Sequence, residues 1–454
     1  MEIVIVGGGK LGTALCRDLA NEGHEIVLID QSREVVEDLT EDLDIRGVVG
    51  NGSARQILQE ADVQACDVFI SDTPSDETNL IAGIIADRLG AKYSIARVRG
   101  PEYANDLPFF KKELGIDLLI NTDALTAADI VRGFDYPYAS SIEPFGNGRV
   151  TLVNIRVNHN APIIGRTVAS LRSEIPELLL CVIERKFQAV IPKGPTVIYE
   201  DDYVQLTGER RAIDQFSRLC GHPTRNWRSA LIVGASRISH YLVPALLDRG
   251  VRIKVIESNI DRANRLAIAH PNIQVIQGDG TSQRFLREER IGNYDVAVAL
   301  TNIDEENIML SLFAHAQGVR KTIAKVNRSE LVKLIDPEGL DLVVTPHIST
   351  GDVIIRYIRS HEKTEGSALE TYSRLSPEGV EALEFIAEEG DDVTKAPIME
   401  LKIEPEIVIA NILRGRQRII PKGTDQIEAG DRVLIVSARK RVTTLDGILI
   451  GEAQ

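Results

Sequence analysis

The chain repeats itself, and nothing else in the sequence constrains the fold as strongly. IVIVGGGKLG at residues 3–12 returns as ALIVGASRIS at 230–239, 227 positions later, and the same step carries Asp30 onto Glu257. GNGS at 50–53 returns as GDGT at 278–281, TPSDETN at 73–79 as TNIDEEN at 301–307, and Arg97 as Lys325. GIDLLINT at 115–122 corresponds to GLDLVVTP at 339–346, and VIPKGPTVIYEDDYVQLTG at 190–208 to IIPKGTDQIEAGDRVLIVS at 419–437. A duplication on this scale means that each half carries the same succession of elements. At 454 residues the chain is also too long for one ordinary core.

Each half has two parts. The first alternates short apolar runs (DVFIS and SIARV, then DVAVALT and KTIAKV) with helical stretches, the pattern of βαβ units on a parallel sheet. The second shows alternating strands such as TLVNIRV and RVLIVSA, with turns at Pro192-Lys193-Gly194 and Pro421-Lys422-Gly423, and reads as a small α+β module. The predicted order is large, small, large, small, with domains at 1–136, 137–226, 227–365 and 366–454. SHEKTEGSALETYS at 360–373 is polar enough to read as a linker.

Composition excludes several functions. A net charge of −15 argues against nucleic acid as a partner, and against docking on anionic lipid by charge. It is compatible with a membrane protein whose cytoplasmic loops are rich in Lys and Arg. No apolar run reaches the roughly 18 residues that a membrane span needs, and a strand beginning at Glu2 leaves no room for a secretory signal. Cys16, Cys66, Cys181 and Cys220 are widely and irregularly spaced, so neither a metal motif nor a disulfide framework is expected, and a reducing cytosol is.

Gly7, Gly9 and Gly12 form G-x-G-x-x-G between an apolar strand and a helix whose first residues are Lys10 and Leu11. The three glycines serve the tight turn, the approach of a pyrophosphate and the packing of helix on strand. The helix then aims its free N–H groups at the phosphates. Asp30, at the end of the second strand, can accept both ribose hydroxyls of an adenosine and would repel a 2′-phosphate, which disfavours NADP. It does not separate NAD from ATP or ADP. Asn51, Gly52 and Ser53 either let the backbone approach an adenine edge or form a strand-to-helix turn with Ser53 as helix cap. Thr73 ends the fourth strand, where open α/β sheets place ligands, and Ser75 or Asp76 can cap the next helix. Arg97 ends the fifth strand, suited to a phosphate or to a structural ion pair. In the second copy Gly234 survives while Ser236 and Ser239 replace the other two glycines. Glu257 and the GDGT turn with Asp279 remain, and Arg237 offers a phosphate contact from the turn. That copy either takes a different or smaller nucleotide, or is structural.

None of the eight histidines belongs to a catalytic or metal-ligand spacing, and neither a nucleophile elbow nor a phosphate-binding loop of the G-x-x-x-x-G-K type occurs. Duplicated binding modules suit a sensor better than a catalyst, although an NAD-dependent oxidoreductase is the alternative. GGGKLG with Asp30, TPSDETN, ARVRGPEY, GIDLLI, ALTNIDEEN, GLDLVVTP and the two IPKG modules, in this order over the whole length, resemble the TrkA family. These are the regulatory subunits of bacterial and archaeal Trk potassium-uptake systems, built from tandem RCK/KTN domains. The resemblance implies NAD(H), or else ATP/ADP, in the Rossmann-like domains and further small ligands in the small ones. It implies a homotetramer or homodimer, peripheral on the inner face of the cell membrane. Its partner would be an integral-membrane potassium translocator of the TrkH or TrkG type, without insertion of this chain into the bilayer. Gly7, Gly9, Lys10, Leu11, Gly12, Asp30, Asn51, Gly52, Ser53, Thr73 and Arg97 match the family's nucleotide-contacting positions, with Asn51 where the family usually has Asp. Glu257, Asp279 and Lys325 match in the second copy, which departs at Ser236 and Ser239.

Overall fold

The computed structural model describes residues 1–100, 103, 107–146, 148–186, 188–222, 227–328, 331, 339–361, 369–375, 379–438 and 442–450. Residues 1–131 and 227–358 make one compact unit, and 132–226 with 359–454 the other. Chain order and spatial grouping therefore differ: the two large parts associate with each other, and so do the two small ones.

In the first unit the apolar runs become parallel strands. β1 (Glu2–Val6), β2 (Glu25–Asp30), β3 (Arg46–Val49), β4 (Val68–Ser71), β5 (Tyr93–Val98) and β6 (Leu118–Asn121) lie in the order β3-β2-β1-β4-β5-β6. The helices between them are α1 (Lys10–Asn21), α2 (Arg33–Asp42), α3 (Arg55–Glu60), α4 (Asp76–Leu89) and α5 (Leu107–Leu114), followed by α6 (Thr122–Asp135). Central β1 and β4 are buried on both faces, which is why Ile3–Val6 and Val68–Ser71 read as unbroken runs rather than alternations. The order reverses between β1 and β4, and the crevice at the carboxyl ends there is where such sheets hold ligands.

The small modules of the second unit are antiparallel. The first has β7 (Ser141–Phe145), β8 (Val150–Arg156), β9 (Leu178–Arg185), β10 (Gln188–Val190) and β11 (Tyr203–Gly208) in the order β10-β9-β11-β8-β7, with α7 (Val168–Glu174) and α8 (Arg210–Leu219).

The second large part repeats the parallel sheet. β12 (Ser229–Val233), β13 (Arg252–Glu257), β14 (Gln274–Gln277), β15 (Val296–Ala299), β16 (Lys321–Lys325) and β17 (Leu342–Val344) lie in the equivalent order. Its helices are α9 (Arg237–Leu247), α10 (Ile260–Ala269), α11 (Gln283–Glu288), α12 (Asp304–Ala316) and α13 (Pro346–Arg359). The two sheets meet along a polar seam. Thr350 Oγ1 donates to Thr122 Oγ1 at 3.2 Å, Ser349 Oγ to Asp129 at 2.6 Å, and Asn121 Nδ2 to the Tyr241 hydroxyl at 2.8 Å.

The second small module has β18 (Leu369–Arg374), β19 (Glu381–Ile386), β20 (Ile407–Arg414), β21 (Gln417–Ile419) and β22 (Arg432–Ser437) in the order β18-β19-β22-β20-β21. The two small sheets share one core, with Phe145, Val150, Leu152 and Val182 against Ala382, Leu413, Leu434 and Val436. Among the described residues the second module has 3₁₀ turns (Asp392–Thr394, Ile398–Glu400, Asp446–Ile448) but no α-helix. The linker expected at 360–373 is corrected in part. Leu369–Ser373 is an edge strand paired with β19, and 362–368 lie outside the described residues. Edge strands tolerate the polar side chains that made this one look like a linker.

Candidate nucleotide-binding site

A cavity of ≈700 Å³ opens over the carboxyl ends of β1, β2, β4 and β5. It is lined by Gly7, Gly9, Lys10, Leu11, Asp30, Asn51, Gly52, Thr73 and Arg97, so the structure brings together nine of the eleven residues singled out in the first copy. Gly12 and Ser53 are not among the described residues that line it.

The chain's own packing explains most of the glycines. Gly7 has φ +107°, and a Cβ there would lie 2.3 Å from the Asp72 carbonyl oxygen. On Gly12 a Cβ would lie 1.8 Å from the Gly7 carbonyl oxygen, and on Gly52 2.0 Å from Val6. Gly9 differs, because nothing stands within 4 Å of the Cβ it lacks. It is also the N-cap of α1 and makes no side-chain cap, whereas Ser32 and Ser75 cap α2 and α4 by accepting from the Val35 and Thr78 N–H groups. The Gly12 N–H faces the Asp72 carboxylate, and the N–H groups before it have no side-chain cap and lie beside the open space over Gly9, an arrangement suited to phosphate.

Asp30 is fixed by backbone. The Gly8 N–H donates to one carboxylate oxygen at 2.7 Å and the Ser32 N–H to the other at 2.8 Å, leaving each oxygen lone pairs for a ribose hydroxyl. Asn51 Oδ1 accepts from Ser53 N at 3.0 Å and Ser53 Oγ at 2.9 Å, closing the turn. Ser53 serves this turn rather than the cap of α3, whose N-cap is Ala54. Asp279 does the same for Thr281 in the second copy, at 2.9 and 2.7 Å, and these bonds hold its carboxyl below the usual range. The role needs only an acceptor, so Asn serves as well as Asp.

Arg97 forms an ion pair with buried Asp72 and donates to the Thr73 carbonyl at 2.8 Å. Burial pushes the Asp72 carboxyl up to about 6, against the lowering by Arg97. Asp76 is not the cap of α4, a role that falls to Ser75. It accepts instead from the Arg99 and Gly100 N–H groups at 2.9 and 2.7 Å and ties the loop after β5 to α4. Pro101 and Glu102 of that loop lie outside the described residues. Sequence reasoning missed Asn79, which is fully buried. It accepts from Thr73 N at 2.7 Å and donates to the Thr73 and Arg97 carbonyls at 3.0 and 2.9 Å. Asn307 makes the same clasp on Thr301 and Lys325, and its recurrence in both copies of the motif was the available signal. Asp72, Arg99, Asn327, Pro346 and His347 were also missed, though all five line the cavity.

The second copy keeps a smaller cavity of ≈450 Å³, lined by Gly234, Ser236, Glu257, Arg262, Asp279 and Glu306 among others. Ser239 Oγ donates to the Gly234 carbonyl at 2.7 Å, and its N–H bonds Ser236 O at 3.0 Å, so α9 starts with a tighter turn. Glu257 accepts from the Ala235 and Asn259 N–H groups at 2.8 Å each, and also from Arg262 at 2.8 Å. Burial would raise its carboxyl, but these three donors bring it below the usual range. Arg237 points away from this cavity to an ion pair with Asp123 at 3.2 Å, a correction to the expected phosphate contact. Lys325 is buried, is not among the described residues lining the cavity, and has its pKa lowered by burial.

Paired parallel sheets of this order, with ligand crevices at their switch points, define a duplicated nucleotide-binding fold of the Rossmann type. The TrkA-N domain family matches residues 3–122 and 230–346, and the TrkA-C domain family matches 152–221. A Trk system potassium uptake protein TrkA homolog of Archaeoglobus fulgidus is 31% identical over 99% of this chain and 100% of its own length. The TrkA protein of Halomonas elongata is 30% identical over 97% and 96%. Among solved structures the GsuK channel superposes with TM-score 0.62 at 20% identity, over 98% of this chain and 77% of that one. A GsuK channel bound to NAD superposes at 0.60 with the same identity and coverage. The chain belongs to the TrkA family of potassium-uptake proteins. It is a regulator, not an enzyme.

Proposed function

We propose that this chain is the nucleotide-sensing subunit of a Trk-type potassium-uptake system. It would work at the cytoplasmic face of the membrane, as a homodimer or homotetramer bound to an integral-membrane potassium translocator of the TrkH or TrkG type. The observation that carries the nucleotide reading is the space over Gly9: packing explains Gly7, Gly12 and Gly52, but not an uncapped helix start facing a cavity. Lys10 and the α1 N–H groups would hold a phosphate, and Asp30 a ribose with a free 2′-hydroxyl. Asn51 and Gly52 would form the adenine side, and Thr73 and Arg97 the wall beyond the phosphates. Glu257 and Asp279 offer weaker counterparts in the second copy. NAD(H) and ATP/ADP both satisfy this half of the site. A nucleotide that fits one arrangement of the assembly better than another shifts their populations, and the shift is passed to the translocator.

Calorimetric titration of the purified chain with NADH, ATP and ADP tests the reading. Saturable binding near one equivalent per chain, lost in Asp30→Ala, is expected; no binding of any of the three would overturn it. Potassium uptake unchanged by loss of the protein would overturn the transport role. TrkA homologues and, in fold, GsuK bound to NAD support this reading rather than an oxidoreductase.

A further inference from the structure

The two copies differ at the residue that follows the fourth strand of each sheet. Asp72 stands there in the first and Leu300 in the second, one step before the paired motifs TPSDETN and TNIDEEN. Each lines the cavity of its own copy. A carboxylate is costly to bury, and Asp72 is only 6% exposed. The sheet itself does not need it, because the second copy has the same strand order with leucine in that place.

Asp72 holds two donors. One is its ion-pair partner Arg97, and the other is the Gly12 N–H in the first turn of α1. The carboxylate therefore sits at the helix start suited to phosphate, paired with the guanidinium at the wall beyond. In the second copy Leu300 brings no charge, and Lys325, at the position of Arg97, feels Asp304 and Asp123 instead.

A phosphate at the start of α1 would thus meet an anion already in place. The other charged or titratable side chains lining the cavity are Lys10 on α1, Asp30 on β2, Arg97 on β5, Arg99 just after it and His347 on α13. Asp123 on α6 feels Arg97 and Arg99 as well, and burial raises its own carboxyl. Val6, Leu11, Ile29, Val35, Pro74 and Pro346 make up the apolar lining, which lowers the local dielectric and strengthens repulsion between two anions. Acids sharing such a site do not all stay ionised, and the weakest takes a proton. The diphosphate linkage common to NADH, ADP and ATP is strongly acidic, whereas burial already pushes the Asp72 carboxyl up to about 6. A phosphate that draws Arg97 away would push it further.

We infer that Asp72 is a built-in competitor of the nucleotide phosphates, and that the first site takes up a proton from solvent at Asp72 when a nucleotide binds. The inference rests on the nucleotide reading above and adds its regulation: a fall in pH tightens binding and a rise loosens it. The bound form holds the proton more firmly, so affinity climbs as pH falls through the bound pKa and levels off below the free value of about 6.

The test is calorimetric titration of the full chain with NADH, ATP and ADP, in buffers of different ionisation enthalpy, on wild type and on Asp72→Asn. The nucleotide's own protons are common to both proteins, so the difference in uptake belongs to Asp72. Wild type should take up more protons per nucleotide than the variant, and the variant should bind more tightly. For about a tenfold to thirtyfold gain in proton affinity on binding, the ratio of variant to wild-type affinity should grow about three- to tenfold between about pH 6.5 and about pH 8.5. Asp72→Leu, which installs the second copy's residue, should likewise lose the uptake, and it repeats the comparison if the asparagine variant does not fold. Equal uptake by wild type and both variants, which would point to His347, or affinities that run parallel across this range, would overturn this inference alone. Wild-type protein that bound none of the three nucleotides would overturn the nucleotide reading as well.

Discussion

The two strand–turn–helix units share a backbone and differ in what fills the space above it. Gly7 and Gly234 hold the same turn, each at φ +107°. Around that turn the first copy keeps room and the second uses it up. Gly9 faces nothing while Ser236 brings a side chain, and Asp30 keeps free lone pairs while Glu257 is engaged by Arg262. Lys10 faces the cavity while Arg237 is neutralised by Asp123. The fold therefore does not need its ligand site. A sheet of this kind survives loss of two fingerprint glycines, because a serine that hydrogen-bonds the turn can replace the closest helix–strand contact.

The largest expected effect comes from importing that serine into the first copy. Gly12→Ser should destabilise by about 2–3 kcal/mol and abolish nucleotide binding, because Gly7's carbonyl oxygen blocks the new Cβ. The reverse change, Ser239→Gly, should cost under about 1 kcal/mol. Urea unfolding of both variants decides, and equal losses would mean that the two turns do not differ as described.

Lys321 on β16, where the first copy has Tyr93, gives the next largest effect. Burial pushes its ammonium from 10.5 down to about 8. A lowered folded pKa means that the native state resists the proton, so stability is full above the unfolded value and is lost as pH falls from there to the folded one. Lys321→Met should therefore stabilise by about 3 kcal/mol at pH 7, an advantage that shrinks between pH 8 and 10.5. Denaturation midpoints across that range measure it, and a pH-independent difference would refute it.

Asp30→Ala should weaken nucleotide binding at least about tenfold by calorimetry, whereas Glu257→Ala should leave the first-site affinity unchanged. The smallest effect belongs to Arg262→Ala. That guanidinium is 43% exposed, so losing its bond to Glu257 should cost under about 1 kcal/mol of thermal stability. A second equivalent of ADP bound by this variant would show that Arg262 alone keeps Glu257 from a ribose, and would narrow the difference between the copies to one side chain.

Much of the fold and of the first site is legible in the order of the amino acids. Ile3–Val6 and Val68–Ile70 are apolar because both faces of a central parallel strand are covered, so they read as strands from composition alone. Asp30 is placed by its distance along the chain from the glycine turn. Asn79 is harder, because its importance lies in two carbonyls brought to it by β4 and β5. Leu369–Ser373 reads as linker because an edge strand has only one covered flank and little apolar signature. His347 gives no signal at all: it sits in the second repeat and lines the first cavity.

The duplication, the alternation of strand and helix, the glycine turn and the acid at the end of the second strand are all written in the chain itself. They follow from local periodicity and from steric rules that act within about 30 residues. Two things emerge only from folding in three dimensions. The large parts pair with each other, as do the small ones, and the first cavity takes part of its wall from residues some 320 positions away from its glycine turn. Such pairings depend on which side-chain surfaces fit after each domain has formed, and local sequence does not encode that fit.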